Sequence, residues 1–257
     1  MQYARDFTDA LEFMWGEGFL SPGGLGEIAD MLSEVAIAGA HVLDVGSGLG
    51  GVDVALIERH AAGSVIGIDV ERQLVEAATK LALSKGLSDR LTFRLVDPGA
   101  LPFADESFDI VFSKDALEHV GEKAFFFREA LRVLKPGGML VVADWLWAEG
   151  AGESSVVHDW LSKGPLKFEF TTLRQAQQAL QSAGFSDISV QDRRHLLQAS
   201  NREEVRILEG PARRQLAAKV GQQMADSRLR SAKGRQAALD SGYLVPSHLK
   251  GRRPMSR

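Results

Sequence analysis

The chain has 257 residues, enough to bury a full core in one large domain, and it contains no cysteine, which excludes disulfides, thiolate zinc sites and cysteine nucleophiles. The net charge of −4 is unevenly spread: residues 202–257 hold thirteen Lys or Arg against five Asp or Glu, which leaves the first 201 residues near −12. An acidic body argues against a nucleic-acid partner, while the basic tail either supplies cations to an anionic substrate or pairs with the chain's own acids. The opening MQYARDFTDALEF lacks a basic segment followed by an apolar run. No stretch approaches the roughly 18 apolar residues of a membrane span, so a cytoplasmic protein without membrane contact is expected.

In chain order, Leu25, Ile28, Ala29, Leu32, Val35 and Ala36 keep helical spacing and predict a helix leading into a first strand, VLDV. Further strand-like runs follow as VIGI, LTFRLV, FDIVFS and MLVVADW, separated by helical stretches at 71–85 and 121–134. In the second stretch Ala124, Phe127, Ala130, Leu131 and Leu134 form an apolar stripe, and Lys135, Pro136 and Gly137 end it. After a looser Gly- and Ser-rich segment, a helix at 172–183 and a strand near 187–193 are expected. Residues 202–240 read as helical, with GYLVPSHL as a last strand. Such alternation implies a parallel sheet covered on both faces, with ligands beyond the carboxyl ends of its strands. Asp44, Asp69, Asp97, the segment 114–119 and the segment 144–147 all fall at those ends.

The most informative run is VLDVGSGLGG, residues 42–51. A strand enters a turn in which Gly46, Ser47 and Gly48 let the backbone approach a ligand closely, with one carboxylate, Asp44, just before it. Gly46, Gly48 and Gly51 also satisfy the dinucleotide spacing G-x-G-x-x-G, and Asp69 ends the next strand. Two acids favour S-adenosylmethionine over NAD. Asp44 gains from the ammonium of an amino-acid cofactor and nothing from a pyrophosphate, and Asp97 in RLVDPGALPF is placed to meet an adenine amino group. Asp69 would accept the two ribose hydroxyls. The bland alternatives are a capping acid at Asp44 and an Asp-Pro turn at Asp97.

On the acceptor side, KDALEHV sets Asp115 and His119 four residues apart, on one face if the segment is helical. Histidine titrates near neutrality and suits removal of a proton from an ammonium. Trp145, Trp147 and Trp160 cluster near the end of the fifth strand, where indole faces attract methylated ammonium groups unless they merely pack the core. No histidine pair has metal-ligand spacing, so no metal is implied.

QY at 2–3, EFMWGEGFLSPGG at 12–24, VLDVGSGLGG, GID at 67–69, SKDALEH at 113–119, LKPGG at 134–138, ADW at 143–145 and the basic tail ending in GY at 242–243 together resemble the S-adenosylmethionine-dependent phosphoethanolamine (phosphobase) N-methyltransferases. The resemblance implies an α/β, Rossmann-like class I methyltransferase fold: a seven-stranded, mostly parallel sheet with helices on both faces and helical additions covering the active site. It implies a single domain over 1–257, with an N-terminal lid (1–38), a cofactor-binding core (39–146) and a substrate-side helical part (147–257). Carried over by position, Gln2, Ser21, Gly46, Asp69, Val70, Asp97, Pro98 and Lys114 line the cofactor site. Asp44, Ser47 and Gly48 join them from the glycine turn. Tyr3 and His119 form the catalytic pair, Asp115 contacts the acceptor amine, and Trp145, Phe19, Trp160 and Arg230 lie on the acceptor side.

Two departures matter. Leu11 stands where the family has a phosphate-contacting tyrosine, and LSKGPLKFEF at 161–170 lacks the expected tyrosine and arginine pattern. A buried phosphate needs several charge-assisted bonds, so the acceptor pocket is rebuilt while the cofactor machinery is kept. The expected activity is methylation of a small molecule on an amine nitrogen, with S-adenosylhomocysteine as product and an acceptor larger or more apolar than phosphoethanolamine. A carbon, oxygen or indole-type acceptor stays open, as does, in another class, an NAD-dependent oxidoreductase.

Overall fold

The computed structural model describes residues 3–162 and 166–255. Seven strands form one sheet: β1 (His41–Val45), β2 (Ser64–Asp69), β3 (Leu91–Leu95), β4 (Phe108–Lys114), β5 (Leu134–Trp147), β6 (Ser186–Asp192) and β7 (Leu244–Arg252). Their spatial order is β3-β2-β1-β4-β5-β7-β6, with β7 antiparallel to both neighbours and every other pairing parallel. The chain reverses its direction of travel across the sheet after β3, leaving a crevice at the carboxyl ends of β1 and β4.

The central strands are apolar on both faces because helices cover both. Val42, Ile110, Phe112 and Val141 pack on one side with α2 (Gly24–Met31) and α3 (Gly51–Glu58). Leu43, Val111, Leu140 and Val142 pack on the other with α5 (Lys123–Val133) and α7 (Leu173–Ala183). Each fully buried large side chain of this kind contributes about 1.5–3 kcal/mol. The remaining helices are α1 (Arg5–Trp15), α4 (Arg72–Ser84), α6 (Ser155–Leu161), α8 (Arg194–Glu209), α9 (Ala212–Val220) and α10 (Gln222–Asp240).

Three expectations shift in detail. The helix predicted through Ala36 stops at Met31, where turns and a left-handed Glu34 (φ 65°) intervene, and Leu25 is exposed rather than part of a core stripe. The helical run at 202–240 is three helices, because Gly210-Pro211 and Gly221 interrupt it. The LKPGG turn lies within β5, which begins directly after α5.

The N-terminal segment lies across the glycine turn. A Cβ on Gly51 would stand 2.7 Å from the carbonyl of Gly18, whose oxygen accepts the Gly51 N–H at 3.1 Å. Gly46, at φ 81°, lies so close to Ala116 that a Cβ there would overlap the alanine methyl. The close approach those glycines permit is therefore first an approach of protein to protein. Gly46→Ala is expected to lose roughly 2 kcal/mol or more in urea unfolding, part from the left-handed φ and part from the overlap. Adding Ala116→Gly should recover only the second part, and full additivity of the two changes would refute the contact.

Candidate active site

The site is built where β1, β2, β4 and β5 end. Asp44 closes β1 and is buried, and the α3 side chain facing it is another buried acid, Asp53. Burial first of all raises both groups: Asp44 is pushed up to about 7, and Asp53, facing the Asp44 charge, goes well above the carboxylate range. Among the described residues, Asp44 Oδ1, both oxygens of Asp53 and the nearby Ser47 Oγ find no donor or acceptor beyond a proton the two acids share. A site with buried acceptors in excess of donors fits a ligand that brings an ammonium.

The turn itself is not organised for a pyrophosphate. The N–H groups of Gly46 and Ser47 donate to Ile68 O at 2.9 and 3.0 Å, that of Gly48 to Asp69 Oδ2 at 3.0 Å, and that of Gly51 to Gly18 O. Those donors are the ones a dinucleotide would require, which is the physical case against the oxidoreductase reading. Asp69 is held at the end of β2 by the Gly48 and Glu71 N–H groups, while burial raises its carboxyl. Val70 is exposed beside it, and Asp97 and Pro98 are exposed in the turn after β3, leaving an open shelf next to Asp69. Gln2 lies outside the described residues.

Lys114, at the end of β4, is buried, and its ammonium donates to Ser21 Oγ (2.7 Å), Pro22 O (2.8 Å) and Asp115 Oδ2 (2.5 Å). All three of its N–H bonds thus go to protein, so Lys114 serves the site by tying the N-terminal segment to it rather than by meeting a ligand. Asp115 takes a left-handed backbone (φ 51°), which turns the chain out of the sheet into a 3₁₀ turn, Leu117–His119. Asp115 and His119 consequently do not share a helix face, yet both line one cavity.

That cavity measures about 60 Å³. Tyr3, Leu11, Ser21, Asp115 and His119 line it, as do the rings of Trp145, Trp160 and Phe168. His119 Nδ1 donates to the carbonyl of Lys167 at 2.6 Å and the ring stacks on Phe168, which leaves Nε2 as the unprotonated nitrogen, 3.5 Å from the Tyr3 hydroxyl. Burial lowers the His119 pKa and, with the Glu118 and Asp69 charges next in effect, raises that of Tyr3, so the pair is a neutral imidazole facing a protonated phenol. Behind His119, Glu118 and Asp144 share a proton: burial holds Glu118 well above its usual range and pushes Asp144 to about 6. Lys123 donates to the carbonyls of Val120 and Glu169, and Glu169 N–H donates to Glu118 O at 2.6 Å, so the irregular segment carrying Lys167 and Phe168 is fastened over the histidine. A second cavity of about 300 Å³ adjoins the first between α2 and α8, sharing Pro22, Asp115 and Trp145 with it.

Two assigned residues stand elsewhere. Phe19 packs on the α2 and α3 core, and Arg230 is exposed on α10. The arginines that reach the cavity are Arg228 and Arg235, both buried, with Ser231 between them on the same face of α10. Their i, i+3, i+7 spacing was the available signal, since Arg230 falls off that face. Other basic tail residues pair with acids of the same region, as in Arg202–Asp240, Arg213–Asp226 and Lys233–Glu209.

Residues 37–201 match the family described as a methyltransferase domain, so the chain belongs to that family, among the class I methyltransferases that depend on S-adenosylmethionine. It is 29% identical over 194 residues to phosphoethanolamine N-methyltransferase 1 of Arabidopsis thaliana, an alignment covering 75% of this chain and 38% of that protein. The chain thus spans well under half the length of that relative. Among solved structures, it superimposes on a Haemonchus contortus phosphoethanolamine N-methyltransferase 2, in complex with phosphomonomethylethanolamine and S-adenosylhomocysteine, with a TM-score of 0.89 at 24% identity, covering 99% of this chain and 59% of the other. A cyclopropane synthase of Mycobacterium tuberculosis gives 0.78 at 16% identity, covering 97% and 94%. At these identities the superpositions establish the fold alone.

With Asp44 raised to about 7, a cofactor ammonium seated on it would make cofactor binding pH-dependent. An ammonium favours the carboxylate, so affinity for S-adenosylhomocysteine should rise from pH 5.5 to about 7 and then level off, with protons released on binding below 7. Without ligand the sign is opposite: the raised carboxyl adds stability at acid pH that is lost as pH rises through about 7. Calorimetry in buffers of different ionisation enthalpy reads the release. Asp44→Asn should weaken binding about tenfold or more and flatten the pH dependence. A wild-type affinity independent of pH would rule this out.

Proposed function

We propose that the chain transfers a methyl group from S-adenosylmethionine to an amine nitrogen of a small molecule larger or more apolar than phosphoethanolamine. The observation that carries the reading is the Tyr3–His119 contact, 3.5 Å across a cavity that also holds Asp115 and three aromatic rings, beside the turn of Asp44. Asp44, Asp69 and the exposed shelf at Val70, Asp97 and Pro98 are the residues that would hold the amino-acid, ribose and adenine parts of the cofactor. Bound there, it supplies a methyl on a sulfonium whose departure as a neutral thioether needs no acid.

The protein's share is alignment, exclusion of water and removal of one proton. Asp115 receives the acceptor's N–H bonds, and the Trp145 and Trp160 faces steady its partial positive charge. A protonated amine has no lone pair, so His119 Nε2 takes its proton first, Nδ1 remaining bonded to Lys167 O. With the cofactor bound, the lone pair freed by His119 would take its methyl group, the S–C electron pair leaving with the neutral thioether. Tyr3, kept as the phenol, closes the cavity by donating toward His119. Leu11 supports the more apolar acceptor, and the adjoining 300 Å³ space supports a larger one.

The stacking of Trp145 and Phe168, 9° from parallel, favours a second reading, an aromatic carbon or oxygen acceptor. Incubation with cofactor and a panel of amines, phosphobases, phenols and indoles, read by mass gain, separates the two. His119→Ala should lower kcat roughly 10²–10³-fold and Tyr3→Phe in the same direction, with S-adenosylhomocysteine binding retained. In wild type the acidic limb of kcat should lie below about pH 6.5, because burial depresses the imidazole. Full activity of His119→Ala on every amine would end the proposal.

A further inference from the structure

The wall of the cavity formed by α10 carries a charge that nothing in the protein balances. Arg228 and Arg235 are both buried, and a single buried carboxylate, Glu204 of α8, bridges them: Arg228 Nη2 donates to Oε1 at 3.0 Å and Arg235 Nη2 to Oε2. Asn201 accepts from Arg235 Nε and adds no charge. Two guanidinium groups, always protonated, against one carboxylate leave one positive charge. The faces of Trp15, Phe7 and Trp145, 5.5–5.7 Å from the guanidinium carbons, soften its burial without neutralising it. Arg228 Nε is a buried donor with no acceptor among the described residues. A buried cation with an unused N–H, opening into a cavity, is a place for an anion.

The rest of the cavity fixes how much negative charge fits. Lys114 and Asp115 cancel each other, Glu118 carries its proton, and His119 and Tyr3 are neutral. The proton that the acceptor gives up is then on His119, off the α10 wall, and the wall itself offers one net positive charge and one unused N–H, Arg228 Nε. A phosphate monoester, close to dianionic at neutral pH, needs several charge-assisted bonds and exceeds what that wall supplies, whereas a carboxylate matches it.

We propose that the methyl acceptor is an amino carboxylate, its carboxylate seated on Arg228 and Arg235 while its amine faces Asp115 and His119. This rests on the N-methylation reading above and narrows it. Arg228 and Arg235 are then the residues that select the acceptor, and Glu204 sets the charge they select.

The test uses acceptors matched in length: β-alanine, phosphoethanolamine and n-propylamine, with glycine, γ-aminobutyrate and leucine extending the carboxylate series, each incubated with the whole chain and cofactor. An amino carboxylate should show the highest kcat/KM, at least about tenfold above both the phosphate and the plain amine. Arg228→Gln should reduce the ratio of carboxylate to plain-amine turnover about tenfold to a hundredfold, a ratio that a general loss of folding leaves untouched. Glu204→Gln, which raises the wall to two positive charges, should move preference toward the phosphate. If that variant does not fold, the wild-type series and Arg228→Gln decide. Phosphoethanolamine or propylamine as best substrate overturns the carboxylate assignment and leaves N-methylation standing. Methylation of phenols or indoles with no amine touched overturns both, whereas failure of every amino carboxylate to be methylated overturns the carboxylate assignment alone.

Discussion

One buried ammonium organises the site. Lys114 stands at the end of a central strand with its side chain 1% exposed, and each of its three N–H bonds goes to a different structural task. Two hold Ser21 and Pro22, and with them the N-terminal segment that crosses the glycine turn through Gly18. The third holds Asp115 in a left-handed turn, and that turn throws His119 out of the sheet plane toward Tyr3. An uncompensated lysine at this depth would cost several kcal/mol, so segment, turn and strand end are ordered together or not at all.

Around that tie the protein accumulates carboxyl groups that it cannot ionise all at once. Asp44 faces Asp53, and Glu118 faces Asp144, each pair sharing a proton because burial and like charge forbid two anions. The two pairs do different work. The first lies beneath the turn and leaves acceptor atoms without donors, which makes it responsive to an incoming ammonium. The second, with Lys123, is closed on itself and on the backbone of Val120 and Glu169, and it serves to fix the carbonyl that sets the His119 tautomer. On α10 the imbalance has the opposite sign, with two arginines on one glutamate.

What could be read from the sequence was whatever is written locally. VLDVGSG, VIGID and FDIVFS each declare a strand and its end within a few residues, and the strand ends placed Asp44, Asp69, Asp115 and His119 in one crevice. The rest was written across long separations. Asp53 meets Asp44 only because a helix returns over its strand, and Lys167 reaches His119 from 48 residues away through a strap with no strong periodicity. Arg228 and Arg235 were hidden among the tail's many cations: periodicity singles out a polar face, but only packing shows that this one points inward. Arg230, two residues from Arg228, lies on the opposite side of that distinction.

This division follows from how the fold separates its tasks. Chains whose names point to chemistry as different as phosphobase methylation and cyclopropane formation superimpose on this fold. The cavity at the sheet's carboxyl edge is walled by parts outside the sheet: Tyr3 and Leu11 from the N-terminal segment, Trp160 from α6, Phe168 from the strap and the arginines from α10. These parts join the core at separate points, among them Lys114, the Gly18–Gly51 hydrogen bond, Lys123 and the Trp145 end of β5, and none of these parts is a strand of the sheet. Leu11 puts an apolar side chain on the cavity wall, where a tyrosine would bring a hydroxyl donor, and the one charge in excess in that wall comes from α10.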